Sequence, residues 1–193
     1  VLRLADHRVV AVGSRELSRA NDFADRFAIK NRHGNYQDLF NDPEVDAIYV
    51  ATHHPLHARD TIDALNAGKP VLCEKPFAMS QAETQAMVDA AKKNNLLLME
   101  AMWARYLPHM IRIREIIKSG VLGEIISVRA DHGQWFNLDP EFRLFKPELG
   151  GGALFDLGVY PISFAHMVLG SPEKITARST KAFTGVDGQT SII

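Results

Sequence analysis

Val71-Leu72-Cys73-Glu74-Lys75-Pro76-Phe77 is the stretch whose reading decides the fold. Three apolar residues, Val71 to Cys73, stand between Gly68-Lys69-Pro70 and Pro76. That pattern predicts a short strand buried on both faces, as in a parallel sheet. Glu74 and Lys75 follow where the strand emerges, and open α/β sheets bind ligands beyond the carboxyl ends of their strands. Pro76 removes a backbone donor and pushes Lys75 toward an extended conformation. A solvated strand end would show the same two charges, so the flanking chain has to decide.

Toward the amino terminus, residues 56–67 predict a helix stopped at Gly68. The loop Thr52-His53-His54-Pro55 precedes it, and residues 46–51 predict the strand before that loop. Residues 36–40 form a short helical turn. Leu17, Ala20, Phe23, Ala24 and Phe27 recur at helical spacing. The run Val9-Val10-Ala11-Val12 predicts a strand ending at Gly13-Ser14-Arg15, and residues 1–5 read as the last turn of a helix. On the other side, Ser80 and Glu83 make a capping box for a helix running to Asn94-Asn95. Residues 96–99 then predict one more strand.

Strand and helix thus alternate four times, which predicts an α/β fold with a doubly wound parallel Rossmann-type sheet. Right-handed crossovers bring the Ser14-Arg15, Thr52-His53 and Glu74-Lys75 ends to one edge. The first strand and its Gly-x-Gly-x-x-Gly turn are expected before Val1, so the chain reads as truncated there. After Met99 the pattern changes. Residues 107–119 predict a helix, 124–135 a long strand, and 137–150 an irregular segment. Gly150-Gly151-Gly152 opens an apolar helix over 153–169, and strands are expected from Ile175 and again near Ile193. Consecutive strands without helices between them predict an α+β domain with a largely antiparallel sheet. That sheet also reads as unfinished. The domains expected are 1–105, dinucleotide-binding, and 106–193, the start of a substrate-binding and dimerisation domain.

The composition is that of an ordinary globular chain, 46% hydrophobic and 23% charged. A net charge of −1 gives no reason to expect nucleic acid or an anionic membrane. The single cysteine, Cys73, excludes an internal disulfide and fits a reducing, cytoplasmic setting. Inside an apolar strand it reads as a packed thiol rather than a nucleophile. No uninterrupted apolar run of membrane-spanning length and no signal peptide are seen.

The segments 9–15, 46–57, 71–76, the run Met99-Glu100-Ala101-Met102-Trp103-Ala104-Arg105-Tyr106-Leu107-Pro108, and Gly150–Pro161 resemble the glucose–fructose oxidoreductase/inositol dehydrogenase (Gfo/Idh/MocA) family. They follow the family's order through nearly the whole chain. Within the family the chain is most similar to the branch of dimeric dihydrodiol dehydrogenases and NADP-dependent D-xylose dehydrogenases. The resemblance implies an oxidoreductase that transfers hydride between a nicotinamide and a cyclic polyol, either a sugar or a trans-dihydrodiol. It implies NADP as cofactor, with NAD possible, and a homodimer or higher homo-oligomer formed through the second-domain sheet.

Several residues carry this chemistry. Arg15 suits a 2′-phosphate, whereas an acid there would bind the ribose hydroxyls of NAD; the alternative is a surface Arg opening a helix. His53 and His57 have metal-ligand spacing, but Pro55 interrupts them and no further ligand stands nearby, so no metal is expected. The resemblance places Ser14, Arg15, Thr52, His53, His57, Glu74, Lys75, Pro76, Trp103 and Arg105 at the cofactor, with capping as the rival role for His57. Lys75 can hydrogen-bond and polarise a substrate hydroxyl. Asp156 and Tyr160, spaced i,i+4, share one helix face. A phenol beside an ammonium makes a reasonable acid/base, so Lys75, Tyr160 and Asp156 are the catalytic candidates, against an amphipathic helix whose Tyr lies at a sheet interface. Arg143 joins Lys75, Asp156 and Tyr160 as a substrate contact. Two rival functions remain: an NAD-dependent glycoside hydrolase on the same fold, and a non-catalytic nucleotide-binding homologue.

Overall fold

The computed structural model describes residues 6–193, so the helical turn expected over 1–5 lies outside the described residues. The chain divides into two compact units. One comprises the chain through Thr52, Leu56–Glu74 and Ser80–Glu100; the other comprises His53–Pro55, Lys75–Met79 and Ala101–Ile193.

In the first unit, strands and helices alternate, with one strand, β2, beyond those the sequence predicts: β1 (Ala11–Gly13), α1 (Leu17–Phe27), β2 (Asn31–His33), α2 (Tyr36–Phe40), β3 (Ile48–Val50), α3 (His57–Asn66), β4 (Val71–Glu74), α4 (Gln81–Asn94) and β5 (Leu98–Ala101). β1 pairs with β2 in parallel, and β4 lies between β3 and β5, with Ile48 opposite Val71 and Val50 opposite Cys73. Val71 and Cys73 are buried, as are Ile48 and Val50 on the neighbouring strand, while Leu72 is only half-buried. The expectation of equal burial on both faces of β4 is therefore corrected for Leu72. Ala20, Ala24, Leu65, Met87 and Ala91 bring the apolar faces of α1, α3 and α4 into the core. The capping box forms at Ser80, whose Oγ accepts from the Glu83 amide at 3.2 Å. Gly68, with φ +83°, adopts the left-handed conformation that follows the end of α3.

β2 was not expected, because Asn31-Arg32-His33 carries no apolar residue to announce a strand. Its side chains explain it. Residues two apart on a strand share a face, and Asn31 Nδ2 and His33 Nε2 both reach Asp42 Oδ2, at 2.8 and 2.9 Å. A shared polar anchor holds this strand where apolar burial would hold another.

In the second unit, α5 (Pro108–Lys118) is followed by a long irregular segment and by 3-10 turns at Arg143–Phe145 and Pro147–Leu149. A π-helical turn (Leu154–Gly158) runs directly into α6 (Val159–Leu169), and β6 (Ala177–Lys181) pairs with β7 (Asp187–Ile192) in an antiparallel hairpin. Residues 124–135, expected as a long strand, form no ladder among the described residues. Their alternating pattern is genuine, but a strand exists only through a hydrogen-bonded neighbour, and none is present for this segment. A separate observation concerns Pro147–Leu169. This 23-residue helical stretch is long and apolar enough to cross a bilayer by length and composition. Glu148, Asp156 and four glycines interrupt it, so it is not an uninterrupted apolar run. A single such stretch is weak ground for a membrane, since the core helix of a globular protein can meet the same criterion, and this one carries the ion-paired Asp156.

Candidate active site

β4 ends at Glu74, and the next residue, Lys75, begins a polar cluster in the second unit. The Lys75 side chain is 14% exposed. Its Nζ donates to the Asp156 backbone carbonyl at 2.6 Å and to Asp156 Oδ1 at 3.1 Å. Arg143 Nη2 donates to the same Oδ1, also at 3.1 Å, from a more exposed position. Burial alone would push the Asp156 carboxyl up; the Lys75 hydrogen bond and charge, then those of Arg143, outweigh it and hold the carboxyl below its ordinary value. Asp156 therefore stands as a carboxylate with two cationic partners.

The i,i+4 spacing places Tyr160 beside this pair. Lys75 Nζ lies 5.2 Å from the centre of the Tyr160 ring, within cation–π range. Trp103 Nε1 donates to the Tyr160 hydroxyl at 2.9 Å, with the two rings in an edge-on arrangement 5.9 Å apart. His132 lies 5.3 Å from the same ring. The structure thus brings together four residues predicted from sequence, Lys75, Asp156, Tyr160 and Arg143, and gives Trp103 a hydrogen bond to Tyr160. His132 was missed, because nothing in its local sequence marks it.

The triple glycine shapes this cluster. His54, buried, is hydrogen-bonded through Nδ1 to the Gly150 carbonyl at 2.8 Å, and a Cβ on Gly150 would stand 2.9 Å from His54 Cβ. Gly152 has φ +116°, and a Cβ there would lie 2.1 Å from Asp187 Oδ1. Asp187 Oδ2 in turn accepts from the Leu154 amide at 2.7 Å, satisfying one donor at the start of the turn that carries Asp156. Asp187 is a second residue that the sequence reading missed, since it caps from a strand 33 residues away.

The remaining predicted residues lie in the first unit or on exposed surface, except Pro76, which is buried in the second unit. Ser14 follows β1, its amide donating to the His33 carbonyl at 3.0 Å, and Arg15 beside it is exposed. The Arg15 and Arg59 charges act on the Tyr36 phenol, where they oppose the upward push of burial and of Asp60. Thr52 follows β3; its carbonyl meets His57 Nε2 at 2.9 Å, and its buried hydroxyl has no hydrogen-bond partner among the described residues. His57 is almost fully buried and the start of α3, with Leu56 at its N-cap, shows no side-chain capping hydrogen bond among the described residues, while His53 is exposed. Glu74 accepts a short hydrogen bond from the Tyr49 hydroxyl, and burial followed by this contact pushes the Tyr49 phenol up. Cys73 is buried, and burial pushes its thiol up to about 12, the value of an inert packed cysteine. Pro76 is buried after a cis Lys75–Pro76 peptide, and Arg105 is exposed.

Two domains of one family cover nearly the whole chain. Residues 2–102 match the oxidoreductase family with an NAD-binding Rossmann fold, and residues 110–193 match the GFO/IDH/MocA C-terminal domain. The chain belongs to the Gfo/Idh/MocA family. It is 43% identical over 183 residues to trans-1,2-dihydrobenzene-1,2-diol dehydrogenase of Danio rerio, covering 94% of this chain and 54% of that protein. Among solved Gfo/Idh/MocA-like structures, it is similar to levoglucosan dehydrogenase in complex with NADH and levoglucosan (TM-score 0.87, 27% identity, 94% of this chain and 53% of that one). It is also similar to a 3-ketoreductase from Actinomadura kijaniata in complex with NADP and TDP-benzene (TM-score 0.82, 30% identity, 98% and 58%). The chain spans about half the length of the curated relatives it matches.

Proposed function

We propose that the protein containing this chain is an NADP-dependent dehydrogenase of a cyclic polyol, a sugar or a trans-dihydrodiol, working in the cytoplasm as a homodimer or higher homo-oligomer. The observation that carries this reading is the Lys75 ammonium, held by Asp156 against the face of Tyr160. Residues at the carboxyl ends of the first-unit strands suit a nicotinamide dinucleotide. Thr52 offers a buried hydroxyl with no hydrogen-bond partner among the described residues, Glu74 a carboxylate fixed by Tyr49, and Arg15 a guanidinium for a 2′-phosphate. When bound, that cofactor supplies the acceptor for hydride.

In the oxidative direction the substrate carbinol carbon gives up hydride while its hydroxyl proton passes to the Tyr160 oxygen. The C–H and O–H bonds break, a C=O bond forms, and the alcohol leaves as a ketone or lactone. Lys75 orients the reacting oxygen and stabilises negative charge on it. Asp156 fixes Lys75 and also accepts from the half-exposed Arg143 guanidinium, which suits a substrate contact.

The test uses the full-length protein and follows nicotinamide absorbance with sugars and trans-dihydrodiols. Lys75→Met and Tyr160→Phe should each lower turnover by about 10²–10⁴-fold with little change in NADP affinity. Arg15→Asp should raise the KM for NADP and narrow its advantage over NAD. Release of free sugar without net change in the cofactor would instead favour the glycoside-hydrolase reading.

A further inference from the structure

We infer that Trp103 is a positioning residue for the acid/base hydroxyl of Tyr160, rather than a contact to the cofactor. The inference rests on the dehydrogenase reading above and adds a residue to its proton-transfer step.

The argument begins with hydrogen-bond inventory. An indole N–H can only donate, whereas a phenol carries one donor and two lone pairs. With Trp103 Nε1 at 2.9 Å from the Tyr160 oxygen, that oxygen must be the acceptor. The phenolic proton is therefore directed away from Trp103, which leaves it to be exchanged with a substrate oxygen. The same contact favours the chemistry directionally. A hydrogen bond to an ionised acceptor is roughly twice as strong as one between neutral groups. In the reductive direction, where Tyr160 gives its proton to the carbonyl oxygen, the indole N–H holds the phenolate being formed more tightly than the phenol, and an interaction that strengthens along the reaction lowers its barrier. Trp103 is 56% exposed, so its ring is not retained for burial. Its visible polar contact is the one to Tyr160.

The charged and titratable groups facing Tyr160 are few. Lys75 lies over the ring, backed by Asp156 and Arg143, and His132 lies 5.3 Å from it. The test has to separate the indole from Lys75 and His132.

Two substitutions in the full-length protein do this. Trp103→Phe keeps an aromatic ring and removes the donor. Trp103→Gln removes the ring but keeps an amide nitrogen the same number of bonds from Cα as the indole nitrogen. Trp103→Phe should lower kcat for reduction of the corresponding ketone by about ten- to a hundredfold, the lower part of the range for losing a donor to a developing oxyanion. The ketone KM should barely move. In polyol oxidation, the limb of the profile that rises with pH should shift to higher pH, and should do so equally in a His132→Gln background. Trp103→Gln should recover part of kcat and part of the limb position. In a Tyr160→Phe background, Trp103→Phe should cost nothing further, because residues acting as a unit are non-additive.

A wild-type enzyme that turns over polyol, with Trp103→Phe leaving kcat and the limb unchanged, would overturn the inference alone. So would Trp103→Gln behaving no better than Trp103→Phe, or a loss that persists undiminished without the Tyr160 hydroxyl. Absence of any cofactor-dependent turnover in the wild-type protein would overturn the dehydrogenase reading and this inference with it.

Discussion

Lys75, Asp156 and Tyr160 could be placed together from the sequence because two simple geometries govern them: a strand end fixes Lys75, and a helical repeat fixes the other two. The donor that meets the Tyr160 hydroxyl was beyond such reasoning, since Trp103 lies 57 residues away and only the folded chain brings them together. The same holds for Asp42, which no motif marks. Asp42 is buried and accepts from the Glu44 amide, Asn31 and His33, and these contacts, in that order, lower its carboxyl to about 2. A carboxylate depressed on folding stabilises the native state above its unfolded value, and that stabilisation is lost as pH falls through its folded value. Acid should therefore weaken the protein progressively between about pH 4 and about pH 2 through this residue. Asp42→Asn should be less stable than the wild type at neutral pH, with the difference shrinking across that window. Thermal unfolding of both proteins from pH 6 to pH 2 checks this, and a gap that stays constant with pH would refute it.

At the scale of elements, the sequence reveals those that bury apolar faces and hides those held by polar anchors or by distant partners. The helices α1, α3 and α4 show their periodicity, and the capping box at Ser80 locates one helix start. β2 escapes because its anchor is Asp42 rather than the core. Residues 124–135 mislead in the opposite way, since alternation assigns faces without supplying a partner strand. The Gly150-Gly151-Gly152 turn is legible as a helix opening, but its necessity comes from the other end of the unit, where Asp187 on β7 reaches the Leu154 amide. A side chain at Gly152 would meet Asp187 Oδ1 and would also occupy a φ that L residues rarely adopt. Gly152→Ala should therefore cost about 1–3 kcal/mol, the range for a residue held in a sparsely populated conformation. Asp187→Ala, losing the cap and the hydrogen bond from the Thr190 hydroxyl, should cost about 1–2 kcal/mol. In the double variant the steric conflict with the carboxylate is gone, so the combined loss should be smaller than the sum of the two. Denaturant titration of the four proteins measures this, and strict additivity would show that Gly152 is needed for its backbone conformation alone.

At the scale of the whole molecule, the described residues leave much apolar surface and several sheet edges without a neighbour. Among them β2 pairs only with β1, β3 only with β4, and β6 and β7 form a two-stranded hairpin. Unpaired edges are templates for association, and an isolated hairpin is marginal in water. In the second unit an open groove of about 500 Å³ is lined almost wholly by apolar side chains, among them Ile113, Ile117, Leu122, Ile126, Phe164 and Val168. Ile126 is 80% exposed, and Trp135 and Leu138 are nearly as open. Apolar surface of this kind marks an interaction site or an aggregation hazard. Since the chain spans about half the length of its curated relatives, the two outcomes can be separated by comparing residues 1–193 alone with the full-length protein. The segment alone should bind a hydrophobic dye such as ANS strongly, self-associate in sedimentation and unfold over a broad temperature range. The full-length protein should bind the dye weakly and unfold sharply. Equal dye binding by both would show that the groove stays open and serves an external partner, whereas a soluble, dye-free monomer of residues 1–193 with one sharp transition would show that this surface needs no cover at all.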